Sequence, residues 1–510
     1  MQQESRVRKS LLNARVNLIF YFLTLALSFF SRKVFLDCLG ADFIGLAGTL
    51  GNLLGFLNLA ELGIGTAIGY VLYKPLFDQN KDKINEIISV LGYLYRWIGF
   101  IILFGGCVLA CLLPWIFPNT EFEYGIIYFA FFSYLFSSLI GYFINYRQTL
   151  LGADQKNYVV TAYFQTANII KVLIQMASAY YTRSYYLWVC IEMIFGVIYS
   201  IILNWKINQV YPWLKSDVKS GKELRKKYPE VMKYTKQLFV HKLGTVVQFQ
   251  TTPLLIYSFV SLPMVALYEN YTIVTTKMSQ LLYNVLGSTG AGIGNLIAEG
   301  KKEKILNVYW ELMLIRILIA SVVVFSMYHL LPPFIKLWLG EEYLLPQSVM
   351  ILVLTSFFLG LVRGTTDEFI NGFGLFYDIW APIVESMIYI LVAVIGGVLW
   401  GLEGVLLGGI ISTLIIIYGW RPYFLFTKGF HISIWKYWKK LLGILTLVAT
   451  SYYLVTLFVE NVFVLDYCCN WWDWILKSIL ITAMISFVMS VTFFISMSEM
   501  RSFVNRFLHA

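Results

Sequence analysis

Gly63-Ile-Gly-Thr-Ala-Ile-Gly69 leads through a short charged loop, Asp78-Gln-Asn-Lys-Asp-Lys83, into an apolar stretch that opens at Ile84. About 220 residues later the arrangement returns. Gly290-Ala-Gly-Ile-Gly294 is followed by Glu299-Gly-Lys-Lys-Glu-Lys304 and then Ile305. Arg147-Gln-Thr-Leu-Leu-Gly152 is answered at the same offset by Asp367-Glu-Phe-Ile-Asn-Gly372. Few residues are identical, but glycines, loop lengths and apolar stretches stay in register. One matching glycine pair would mean little, whereas several in register predict a parallel internal repeat.

The apolar stretches set the fold class. Hydrophobic residues make up 59% of the 510 residues and charged residues 13%, too few charges to cover a water-exposed surface of that size. Stretches of about 20 apolar residues match the hydrocarbon thickness of a bilayer. They lie at 11–31, 43–73, 86–113, 124–145, 158–181, 184–205, 238–261, 264–298, 305–331, 347–364, 379–400, 402–427, 438–459 and 474–497. The prediction is an all-α polytopic membrane protein of about fourteen transmembrane helices. Its expected organisation is an N-lobe over 1–205 (helices 1–6), a cytoplasmic linker over 206–237, a C-lobe over 238–427 (helices 7–12), and two C-terminal helices within 428–510. No alternating ten-residue pattern suggests a barrel. The linker, Lys-rich with Pro212 and Pro229, is expected to be a solvated, partly helical connector.

Basic residues orient the chain. Most of the 39 Lys and Arg fall in the loops shared by one side, including Lys9, Lys74, Arg147, Lys219 and Lys302. The opposite loops hold Arg32, Lys33, Arg183 and Lys336, and carry acids such as Glu121 and Glu341. The positive-inside rule then puts both termini in the cytoplasm. The formal net charge of +10 reflects this topology and attraction to anionic membrane lipids, so no nucleic-acid partner is called for. The apolar run after Arg6-Val-Arg-Lys9 is too long for a signal peptide and lacks a small-x-small site, which predicts an uncleaved first helix. The six cysteines and four histidines form neither a disulfide framework nor a metal-ligand spacing.

Several motifs together resemble the polysaccharide transporter branch of the multidrug/oligosaccharidyl-lipid/polysaccharide exporter superfamily, specifically the Wzx-type O-antigen and capsular repeat-unit flippases. They are Leu59-Ala-Glu-Leu-Gly-Ile-Gly65 with Leu72-Tyr-Lys-Pro-Leu76, Tyr268-Glu-Asn-Tyr271, Ile293-Gly-Asn-Leu296, Leu337-Trp-Leu-Gly340, and Gly372-Phe-Gly-Leu-Phe376 with Pro382-Ile-Val-Glu385. Glu269 departs from the pattern, where a small polar residue is expected. The resemblance implies translocation of an undecaprenyl-diphosphate-linked oligosaccharide to the outer leaflet of a bacterial cytoplasmic membrane. The mechanism it implies is alternating access through a cationic central cavity. The polysaccharide polymerase and chain-length proteins are its expected partners.

Charges inside spans are costly and are functional candidates by default. Arg15, Lys277, Arg316, Lys171 and Arg96 are the candidate substrate-binding cations, with Gln248, Gln250 and Asn270 as hydrogen-bonding partners for sugar hydroxyls. Glu61 and Glu269 are the candidates for ion or proton coupling, Glu61 either paired to a cation or titrating. Lys477 is expected to snorkel. No metal site or cofactor is expected, and coupling to Na⁺ or H⁺ is left open. A cation-coupled multidrug exporter of the same superfamily would carry a carboxylate in its first helix, where this chain has Arg15. A lipid II flippase shares the architecture and stays an alternative. No catalytic constellation accompanies the short outer loops, so an enzyme is not expected.

Overall fold

The computed structural model describes residues 6–61, 64–118, 120–154, 156–286, 293, 296–297, 300–375, 377–462 and 470–508. The glycines at 63, 287, 290, 292 and 294, and the Cys468-Cys469 pair, lie outside the described residues. The described chain is helical throughout, without a strand.

The first unit spans Met1–Ala266. It contains α1 (Arg6–Leu57), α2 (Ile64–Phe77), α3 (Lys81–Ile116), α4 (Tyr124–Phe143), the short α5 (Gln148–Ala153), α6 (Asn157–Thr182), α7 (Tyr185–Val210), the single turn α8 (Gly221–Leu224) and α9 (Pro229–Phe259). α10 (Leu262–Leu286) begins at its end. The second unit, Leu267–Ala510, continues with α11 (Lys302–Trp338), α12 (Gln347–Val362), α13 (Gly364–Gly372), α14 (Trp380–Trp400) and α15 (Leu402–Thr413). α15 runs on through π-helical turns at Leu414–Trp420, α16 (Arg421–Phe424) and further π-helical turns at Leu425–Phe430. The C-terminal helices are α17 (Ile434–Val462), α18 (Trp471–Ser496) and α19 (Ser498–Leu508).

Among the described residues, nine helices are long and apolar enough to cross a membrane. One of these, α1, is two spans in a row, because Gly40 at φ 84 and ψ 160 breaks it where the sequence places the first loop. The spans expected at α6, α9, α10 and α17 carry more polar residues. This is a multi-pass membrane protein. Its exposed aromatic and aliphatic side chains, such as Phe104 and Trp115 on α3 and Val398 and Trp400 on α14, are what hydrocarbon contact requires.

Some backbone features recur at an offset of about 220 residues. Gly40 breaks α1, and Val260 caps α9 at the corresponding place. Left-handed residues recur too: Gln79 at φ 53 answers Gly300 at φ 73, and Arg183 at φ 50 answers Gly401 at φ 57. A helix end of this kind favours glycine, and Arg183 tolerates the conformation at some cost. The interhelical clasp also repeats with its chemistry changed. Arg147 donates to Asn208 Oδ1 at 2.9 Å and to Asn204 Oδ1 at 2.8 Å, tying the α4–α5 junction to α7. Its counterpart Asp367 on α13 accepts from Arg421 on α16.

Close packing within the second unit rests on glycine. α14 and α15 form a hairpin in which a Cβ on Gly396 would stand 2.7 Å from the Gly404 carbonyl oxygen, and Gly408 lies against Ala393. Small residues let transmembrane backbones approach in this way. Gly404→Val should therefore push the hairpin apart and cost about 1–3 kcal/mol. Lower yield of folded protein and a lower unfolding temperature in detergent are the expected readouts, and wild-type stability would contradict this packing.

The connector docks on α3 at several points, and its Lys and Arg side chains from 215 to 227 stay exposed. The Lys215 amide donates to Asn85 Oδ1 and the Asp217 amide to Ser89 Oγ, both at 2.9 Å. Lys227 Nζ lies 2.7 Å from Glu86 Oε2, which also accepts from the Tyr228 hydroxyl. Burial, then the hydrogen bond to Glu86, pushes the Tyr228 phenol up, so it stays a donor. α9, expected to open the C-lobe, packs on α1 and α2.

Candidate functional site

α6 carries a polar stripe along an otherwise apolar helix. Thr161, Gln165, Asn168, Lys171 and Gln175 fall three or four residues apart, so they share one face. That face meets α4 and α7 around a cavity of about 490 Å³. Gln148 from α5, Ser137 from α4, and Glu192 and Tyr199 from α7 complete its polar wall, and Phe164 and Phe195 are the main apolar contributions.

An ion pair closes one part of the cavity. Lys171 Nζ lies 2.6 Å from Glu192 Oε1, with side chains 17% and 28% exposed. The other oxygen, Oε2, accepts from Gln175 Nε2 at 3.1 Å, and the same amide donates to the Trp188 carbonyl. Both oxygens of Glu192 are thus engaged, while Lys171 keeps two further N–H donors. Below them, Asn145 Oδ1 accepts from Ser200 Oγ at 2.7 Å and Asn204 Nδ2 at 2.8 Å.

Glu61 sits in the one-turn 3-10 segment between α1 and α2, where the span is interrupted. Tyr95 on α3 donates to its Oε1 at 2.5 Å and Tyr142 on α4 to its Oε2 at 3.0 Å. The single hydroxyl hydrogen of Tyr142 is shared with Asn58 Oδ1, also at 3.0 Å. Gly65 makes room for this, since a Cβ there would stand 3.0 Å from the Tyr95 hydroxyl. No Lys or Arg among the described residues forms an ion pair with Glu61. The cation partner expected as one possibility gives way to two phenols, because the helices facing Glu61 present tyrosines there.

The remaining candidates separate by partner. Arg316 on α11 is bonded to Glu368 on α13 and lies over Gly364, where a Cβ would displace it. Arg15 and Arg96 are exposed and form no ion pair with another described residue. Lys277 and Glu269 are half-buried on α10, and Asn270 is fully buried there. Gln250 packs its amide against Gly55 of α1, and the Gln248 side chain lies outside the described residues. Lys477 pairs with Asp473 one turn away at 3.0 Å. Charge does not single out the Gln165–Asn168 stripe, so sequence reasoning missed it. Its helical spacing in an otherwise apolar span was the available signal. Another missed cluster is Asp367, which accepts from Arg363 Nε at 2.9 Å and from Arg421.

The fold is shared with solved transporters. An inward-closed structure of the lipid II flippase MurJ matches with a TM-score of 0.65 at 16% identity, covering 93% of this chain and 98% of that one. An inward-facing MATE family multidrug resistance transporter of the MOP superfamily matches with a TM-score of 0.62 at 14% identity, covering 81% of this chain and 97% of its own. A mutant of the Vibrio cholerae MATE transporter VcmN matches with a TM-score of 0.52 at 14% identity, covering 83% of this chain and 99% of its own. No protein-family model and no curated protein matches the sequence.

Proposed function

We propose that this protein is a flippase that carries an undecaprenyl-diphosphate-linked oligosaccharide from the cytoplasmic to the outer leaflet of a bacterial cytoplasmic membrane. The observation that supports this most is the extent of the likeness to the lipid II flippase. The MATE structures are matched almost whole yet cover 81–83% of this chain, while the flippase covers 93%. That surplus of about a tenth of the chain is the size of α17 and α18 together, 29 and 26 residues. Arg15 and Arg96 supply exposed cations for a diphosphate, whose burial without compensation costs tens of kcal/mol by Born estimates. Export of two negative charges also runs with an inside-negative potential, at about 2.3 kcal/mol per charge per 100 mV.

Proteoliposomes holding a fluorescent undecaprenyl-diphosphate disaccharide test the reading through accessibility of the label to an external quencher. Protein-dependent flipping is expected, and a deletion strain should accumulate one lipid-linked glycan that names the cargo. Absence of both, with increased drug sensitivity of the strain, would favour a multidrug exporter.

The orientation proposed has cytoplasmic termini and a cytoplasmic connector. Positions 121, 219 and 341 are all exposed, so single cysteines there in a cysteine-free background can be compared directly. An impermeant maleimide added to intact cells should label 121 and 341 and spare 219. The reverse pattern would invert the topology.

A further inference from the structure

We propose that the cavity between α4, α6 and α7 is a subsite for an uncharged sugar ring of the substrate, separate from whatever holds its diphosphate. The inference rests on the flippase reading and adds which part of the cargo this cavity takes. Its ionisable lining consists of Lys171, Glu192 and the Tyr199 phenol. The first two neutralise each other at 2.6 Å. A diphosphate entering here would find its one cation already paired and a carboxylate beside it. A coupling cation would fare no better, because both oxygens of Glu192 are engaged by Lys171 and Gln175. Charged ligands are therefore disfavoured.

Uncharged hydroxyls are what the lining can serve. Gln148, Gln165 and Asn168 each offer one acceptor and two donors, and none of these side chains hydrogen-bonds another described residue. Thr161 adds a hydroxyl in the same condition, and Ser137 Oγ is buried beside the cavity without a partner. Polar groups at membrane depth without protein partners are costly, so they must be met by something that fills the cavity. A pyranose ring presents hydroxyls that both donate and accept, matching amides that do the same. Its C–H face suits an aromatic wall, and Phe164 and Tyr199 stand edge to face at 5.1 Å on one side. At about 490 Å³ the cavity is within the size range of small-molecule sites.

The test uses full-length protein in nanodiscs on a printed array of neutral di- to tetrasaccharides that carry neither phosphate nor lipid. Wild type should bind a defined subset. Gln165→Leu/Asn168→Leu should weaken that binding at least tenfold with an unchanged unfolding temperature. Should the double variant fold poorly, Asn168→Cys in a cysteine-free background serves instead: the bound saccharide should slow its modification by a small thiosulfonate at least fivefold. No binding of any neutral saccharide by wild type, binding of phosphorylated glycans alone, or no protection of the introduced thiol would each overturn the subsite. Flipping in proteoliposomes without saccharide binding would leave the flippase reading standing and remove the subsite. Saccharide binding without flipping would do the opposite.

Discussion

Lys171→Ala should destabilise the first unit by about 3 kcal/mol and abolish transport together. The reason is the carboxylate left behind. Glu192 is mostly buried against α4 and α6, and without Lys171 its charge keeps only the Gln175 amide as a partner. Replacing both members of such a pair by apolar residues of similar size is often neutral. Lys171→Met/Glu192→Leu should therefore recover most of the lost stability, since Gln175 still donates to the Trp188 carbonyl. Transport should not recover with it, because the cavity has lost the Lys171 donors. Unfolding in detergent and flipping in proteoliposomes, measured on the same preparations, separate the two effects. A double variant less stable than Lys171→Ala would show that the pair is not what sets the cost.

The second large effect is expected in the other unit, with a built-in asymmetry. Asp367 is the shared partner of Arg363 and Arg421, so Asp367→Ala leaves two guanidinium groups facing each other without their carboxylate. Loss of about 3–5 kcal/mol, with little protein reaching the membrane, is the expected outcome. Arg421→Ala should cost about 1–2 kcal/mol, because Arg363 still neutralises Asp367. Comparing the yield and unfolding temperature of the two variants checks the order. Equal losses would mean that the α13–α16 contact is held by shape and not by charge. The N-terminal counterpart, Arg147 on two asparagines, involves no carboxylate, so Arg147→Ala should be the mildest of the three.

Much of the architecture was legible in one dimension. A span is recognised by the length of its apolar run, because the bilayer demands backbone hydrogen bonds within each segment. The offset that aligns Arg147 with Asp367 marked two polar positions, but not that each would tie neighbouring helices together. The stripe Thr161, Gln165, Asn168 was equally present in the sequence, since helical periodicity is a local property. The partners were another matter. Lys171 and Glu192 are 21 residues apart and Arg316 and Glu368 are 52 apart, on different helices. Nothing in either helix says which faces meet. Four intramembrane cations looked alike as letters, and packing divided them: Lys171 and Arg316 spent on carboxylates, Arg15 and Arg96 left exposed. Glu61 likewise became a hydrogen-bond acceptor for two tyrosines only because α3 and α4 turn those side chains toward the break in the second span. Sequence alone determined that the chain is an all-α protein of membrane-length helices, because hydrophobic length is written residue by residue. Tertiary structure decided which charges are neutralised and which polar groups are left to meet a ligand, because that depends on helix rotation and on contacts between segments far apart in the chain.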